Sequence, residues 1–184
     1  MVVFILVGVV VLVVLWAILT YNGLVSRRAM VAEGWSGIDA QLKRRADLIP
    51  NLVETVKGYA AHERQTFDEL TKMRSQAGSQ DPAQRAQAES AITAAIGKVM
   101  AVAEAYPDLK ASANFQSLQK DLSDLEDQIQ LARRYYNGAV RNLNVAVQQF
   151  PSNLIANMGG FTAAQFFQLD SPAERTAPKV SFSG

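Results

Sequence analysis

The sequence contains no cysteine. That excludes disulfide scaffolds, thiol catalysis, cysteine-based zinc sites and a lipid anchor carried on cysteine. Histidine is nearly missing too, with His62 alone. A zinc-protease motif built on His62-Glu63 would need a second histidine at position 66, which is Thr66. There is no glycine-rich phosphate loop, since Gly159-Gly160 lacks the required spacing. With no triad, metal cluster or phosphate cradle to read, the expectation is a protein that is not an enzyme and takes no cofactor and no metal.

Charge is absent from two stretches. None precedes Arg27, and none occurs from Asn142 to Leu169. The averages hide this: 184 residues with 18 basic and 17 acidic side chains and a mean hydropathy of +0.02 look like one ordinary domain. A net charge of +1 gives no general attraction for nucleic acid.

What fills the first gap is a run of eighteen residues from Val2 to Leu19, apolar throughout and interrupted only by Gly8. As a helix it would be about 27 Å long, close to a hydrocarbon core of about 30 Å. Trp16 and Tyr21 are placed for one interface. Fifteen of the eighteen are Val, Leu, Ile or Phe, which sums to roughly −4 to −9 kcal/mol for insertion. Ten are β-branched, but in lipid a single segment can satisfy its backbone only as a helix. A cleaved signal peptide would want a basic stretch before the run and a small-residue site after it, and neither is there. Residues 1–20 are therefore expected to be a retained transmembrane helix. Arg27 and Arg28 follow it and set the topology: the amino terminus outside and the body in the cytoplasm.

From Tyr21 the spacing predicts helices. Leu24, Arg28, Val31, Trp35, Ile38, Leu42, Arg45 and Ile49 recur by threes and fours. Pro50 is expected to stop or kink this helix near Leu48 and to open a second one burying Leu52, Val53, Val56, Tyr59, Phe67, Leu70 and Met73. After a polar loop over residues 75–80, Asp81-Pro82 reads as a cap and first turn for a third helix carrying Ile92, Ile96, Val99, Val102 and Tyr106, closed by Pro107. The fourth runs from Phe115 through Leu118, Leu122, Leu125, Ile129, Ala132, Tyr136, Val140, Leu143 and Val147 to Phe150, a seam about 54 Å long. The expected fold class is all-α: the transmembrane helix continuing into an antiparallel up-and-down four-helix bundle over residues 21–150. A continuous kinked helix through Pro50, giving three helices, is the alternative.

Helix parity brings the chain back to the bilayer after Phe150. There, residues 151–170 form an uncharged, phenylalanine-rich segment too interrupted by Pro151 and Gly159-Gly160 to span a membrane. Phe150, Leu154, Ile155, Met158, Phe161, Phe166 and Phe167 are candidates for a membrane or oligomer interface, or for a segment folded over the end of the bundle. Residues 171–184 are expected to be a disordered tail. Arg28, Arg45 and Glu63 fall at or beside seam positions, where an unpaired charge is costly. Arg45 and Glu63 are therefore expected to pair across the Pro50 turn, the alternative being arginine stems that snorkel to the bundle surface. Asp121, Asp124, Glu126 and Asp127 lie largely off the seam and read as a solvated face, and if the helix stands upright only Arg27 and Arg28, not the Lys43-Arg44-Arg45 triplet, have the reach to anionic headgroups.

Several stretches are recognisable together: Tyr21-Asn22-Gly23-Leu24-Val25, Trp35-Ser36 with Ile38-Asp39, the run from Gln41 to Glu63, Glu104 to Ala111, Phe115 and Leu118, and Arg134-Tyr135-Tyr136-Asn137 on to Phe150-Pro151. The chain resembles the LemA family of bacterial membrane proteins over nearly all of its length from Tyr21. It departs from the family pattern at Gly34, where alanine is usual, and at Leu143 before Asn144, where a second Tyr-Asn is usual. The resemblance implies a single-pass protein with a short outside amino terminus and a cytoplasmic antiparallel helical bundle, and one branch of the family is associated with magnetosome membranes. It supplies no activity and no catalytic residues. The expected function is a non-enzymatic, membrane-anchored scaffold that homo-oligomerises. The alternative is an adaptor docking a specific protein partner, such as an envelope-stress or protease component.

Overall fold

A computed structural model describes residues 1–60, 62–76 and 81–168, with the side chains of residues 75 and 76 left aside. Among them every regular element is a helix: α1 (Val2–Lys57), α2 (Arg64–Gln76), α3 (Pro82–Glu104), α4 (Pro107–Ala111), α5 (Ala113–Gln148) and α6 (Ser152–Met158). The expected tail, residues 171–184, lies outside the described residues, as do positions 169–170 of the phenylalanine-rich segment and 77–80 of the polar loop.

Pro50 does not end a helix. It sits inside α1, which runs unbroken for 56 residues, so the break expected near Leu48 is corrected to Gly58. Proline lacks the N–H that would bond to the carbonyl four residues back, here Ala46. That carbonyl finds another donor: Arg74 of α2 donates its Nε–H to it at 2.8 Å. Beyond Pro50 the helix face goes on burying Leu52, Val53 and Val56, and this burial outweighs one lost backbone bond. The real end carries ordinary stop signals, Lys57 in the last turn and Gly58 after it. Moving the break also moves Tyr59 out of the expected core, and its side chain is exposed.

The α3 start is as the sequence predicts, with the Asp81 carboxylate accepting from the Gln84 N–H at 2.9 Å and Pro82 in the first turn. Pro107 closes α3 and opens the short α4.

The chain divides into two compact units. One comprises Leu42–Asp127 with the segment from Phe167. Its core gathers Ile49, Leu52 and Val56 of α1, Phe67 and Leu70 of α2, Ile92 and Val99 of α3, Leu109 of α4, and Phe115 and Leu122 of α5. The other comprises Met1–Gln41 and Gln128–Phe166. In it α1 and α5 run antiparallel: Leu24 shares a cluster with Leu143, and Trp35 packs on Tyr136 with ring centroids 5.6 Å apart. At Gly34 the two helices come close together, since a Cβ there would lie 3.0 Å from the Tyr136 Cα.

Candidate functional site

The Met1–Gln41 and Gln128–Phe166 unit holds most of the residues singled out in the sequence. The apolar window of α1 is not buried at all within the protein. A helix that is hydrophobic all round and wholly uncovered is a membrane span in form. It is the one helix among the described residues that is long and apolar enough to cross a bilayer.

Where α1 leaves this window, the chain after α5 packs back against it. α6 ends in a Schellman arrangement: Gly160 has φ +66°, its N–H donates to the Asn157 carbonyl, and the Phe161 N–H donates to the Ala156 carbonyl at 2.9 Å. That turn drives Phe161 inward beside Leu24, Leu143 and Ala156. The Phe161 ring meets Tyr21 edge-on at 5.5 Å and carries the Arg28 guanidinium 5.0 Å above it. Arg28 is thus exposed and held by a ring rather than buried on a seam.

The extended chain after Phe161 is pinned by two side chains of α5. Asn144 binds the backbone of Ala164 from both sides, donating from Nδ2 at 2.9 Å and accepting on Oδ1 at 2.8 Å. The Tyr136 hydroxyl donates to the Gln165 carbonyl at 2.8 Å. Asn144 keeps this work although Leu143, not tyrosine, precedes it. Next to Tyr136, the half-exposed Tyr135 donates to the Glu33 carboxylate at 3.3 Å. Partial desolvation first, then the Glu33 charge and hydrogen bond, raise its pKa above the ordinary tyrosine value.

The candidate interface residues divide. Phe161 and Phe167 are buried in the protein itself, and Ile155 is half-buried. Phe150, Leu154 and Met158 are 75%, 52% and 85% exposed, and Phe166 is partly exposed. Up to Phe166 the segment therefore both folds onto its own unit and leaves several large apolar side chains outward.

The expected Arg45–Glu63 pair is replaced by another. Arg45 is buried as the seam requires, but its Nη2 meets Glu89 of α3 at 2.5 Å and its Nη1 meets Glu126 of α5 at 3.0 Å. Arg85 adds a contact to Glu89 at 2.9 Å. Glu63 is exposed, beyond the end of α1, because the chain turns at Gly58 and not at Pro50. Glu89 was legible in principle: stepping the Ile92 and Val99 stripe back by three reaches it. Glu126 accordingly leaves the solvated face, while Asp121, Asp124 and Asp127 stay exposed. On that face the hydrogen bond from Lys120 to Asp124, then the Asp124 charge, raise the Lys120 pKa above its ordinary value. His62 is exposed, and the described residues contain no group of three or more side chains suited to a metal.

The chain is similar to magnetosome protein MamQ 2 of Paramagnetospirillum magneticum, 26% identical over 86% of this chain and 68% of the relative. It is similar to magnetosome protein MamQ of Magnetospirillum gryphiswaldense at 24% over the same shares. To Protein LemA of Metamycoplasma hominis it is 27% identical over 81% of this chain and 72% of the relative. The family model described as LemA family matches residues 34–182, most of the chain, and the protein belongs to that family.

Proposed function

We propose that this protein is a non-enzymatic, single-pass membrane scaffold that homo-oligomerises. In this reading Val2 to Leu19 spans a bacterial inner membrane, with the amino terminus outside and residues 21–150, an antiparallel up-and-down helical bundle, in the cytoplasm. The observation that carries the reading is the bare apolar window of α1, which the fold makes no attempt to cover. Lipid is the environment that makes such a surface stable.

Two further features support it. Phe150, Leu154 and Met158 are exposed apolar side chains in the unit that contains the span, suited to the interfacial layer or to a second copy. Relatives named for the magnetosome accord with work at an organised cellular structure. Charge-rich helices without a reactive constellation fit a structural role better than a catalytic one.

The test is the mass of the full-length protein in detergent by light scattering at micromolar concentration, paired with crosslinking in native membranes. Oligomers in both are expected. A monomer in both overturns the scaffold reading. Resistance of the membrane-bound protein to alkaline carbonate washing checks the anchor separately, and release into the wash overturns it.

A further inference from the structure

A hollow of about 860 Å³ lies between α1 and α5 just past the end of the apolar window. Its volume falls within the roughly 300–1,000 Å³ of small-molecule sites. Leu19 and Val145 line it with apolar residues, Arg27 and Arg141 line it from different helices, and Asn142 and Gln149 are amide side chains among its lining. No carboxylate lines it among the described residues. The same holds more widely: this unit carries five arginines against Glu33 and Asp39 alone.

Arg27 and Arg28 have different tasks. Arg28 is engaged by the Phe161 ring, whereas Arg27 lines the hollow. The Arg27 guanidinium reaches back along α1: its Nη1 lies 2.9 Å from where a Cβ on Gly23 would be. Gly23 is four residues past Leu19, about 6 Å along the helix axis. A hydrocarbon core of about 30 Å within a bilayer of about 40–45 Å leaves about 5–8 Å of headgroup layer on each side. The charge is thus at phosphate depth while its Cα stands further out.

We propose that this hollow is a binding site for the phosphate headgroup of an anionic phospholipid, gripped by Arg27 and Arg141, with the acyl chains leaving along Leu19 and Val145. Guanidiniums bind phosphate oxygens through paired N–H donors, and two of them facing one anion with no competing carboxylate form a cation-only cradle. The proposal rests on the reading that Val2 to Leu19 spans a bilayer.

The experiment uses full-length protein in a non-ionic detergent, titrated with phosphatidylglycerol, phosphatidylcholine or inorganic phosphate. Retained adducts are read by native mass spectrometry and the unfolding midpoint by circular dichroism. Phosphatidylglycerol is expected to be retained and to raise the midpoint, and phosphatidylcholine and inorganic phosphate to do neither. Arg141→Gln should weaken phosphatidylglycerol retention at least about tenfold, the loss of one charged hydrogen-bond partner. Gly23→Leu, which displaces the Arg27 guanidinium without changing charge, should do the same. Arg134→Gln removes equal charge from the same unit outside the hollow and should bind like the wild type. Arg141→Lys should fall between, and its circular dichroism guards against misfolding.

Equal losses in Arg141→Gln and Arg134→Gln overturn the site in favour of diffuse charge attraction. Equal retention of phosphatidylcholine overturns anionic selectivity, and an equal midpoint rise with inorganic phosphate overturns lipid as the source of the phosphate. Carbonate washing of membranes separates the two readings: a wild type that stays bound but shows no Arg141-dependent adduct fails the site alone, and one that washes off fails both.

Discussion

Arg45 shows how a single side chain can organise a helical core. Its burial requires partners, and Glu89 and Glu126 come from two other helices, so the charge ties three elements at one level of the unit. Breaking such a pair from one side leaves the other charge stranded. Glu89→Ala leaves Arg45 with the more exposed Glu126, and should cost about 3–5 kcal/mol in thermal unfolding followed by circular dichroism. Glu63→Gln should stay within about 0.5 kcal/mol of the wild type, as an exposed position does. At Tyr135 the raised pKa means that folding favours the protonated phenol. Its contribution is present below the ordinary tyrosine value of 10.0 and is lost as pH rises through the higher folded value. An alkaline absorbance titration should place Tyr135, identified by difference from Tyr135→Phe, above ordinary tyrosine. Glu33→Gln should bring it only part of the way down, because desolvation is the larger cause.

For the elements, two devices keep irregular backbone satisfied. α1 tolerates Pro50 because Arg74 supplies the donor that proline removed. A double-mutant cycle tests this: Arg74→Ala alone should cost about 1 kcal/mol, and much less once Pro50→Ala restores the backbone N–H to the Ala46 carbonyl. Additive effects would sink the idea. The extended chain after α6 is pinned in a comparable way by Asn144. Asn144→Ala should accelerate hydrogen exchange at the Ala164 amide by the loss of its acceptor, with little change at the α5 amides around it. The helix periodicities and caps were legible along the chain, because spacing by threes and fours and the Asp81-Pro82 cap are local signals. The continuous helix through Pro50, given as the alternative, is what α1 shows; a stop near Leu48 fails because the Ala46 carbonyl is rescued by Arg74, 28 residues away. No local pattern carries that information.

Across the whole molecule, charge is distributed as a membrane protein would distribute it. The unit containing the apolar window has an excess of three positive charges, and residues 42–127 carry eleven basic against thirteen acidic side chains. The absence of cysteine makes topology directly measurable. With Ser117→Cys on the exposed face of α5, the proposed topology expects an impermeant thiol reagent to label the protein only after the membrane is opened. Placing two arginines ahead of Val2 while changing Arg27→Gln and Arg28→Gln should reverse that pattern.

The sequence by itself determined the apolar window, the helical class, the cap of α3, the long α5 seam and the need for Arg45 to have a partner. Each of these follows from composition, periodicity or the cost of a buried charge, which act over one helix at a time. Only the tertiary structure decided which carboxylates answer Arg45, why α1 passes through Pro50, and which phenylalanines turn inward. Those outcomes depend on side chains brought together from distant positions, where the cost of an unsatisfied polar group or an uncovered ring is settled by whichever neighbour the fold supplies.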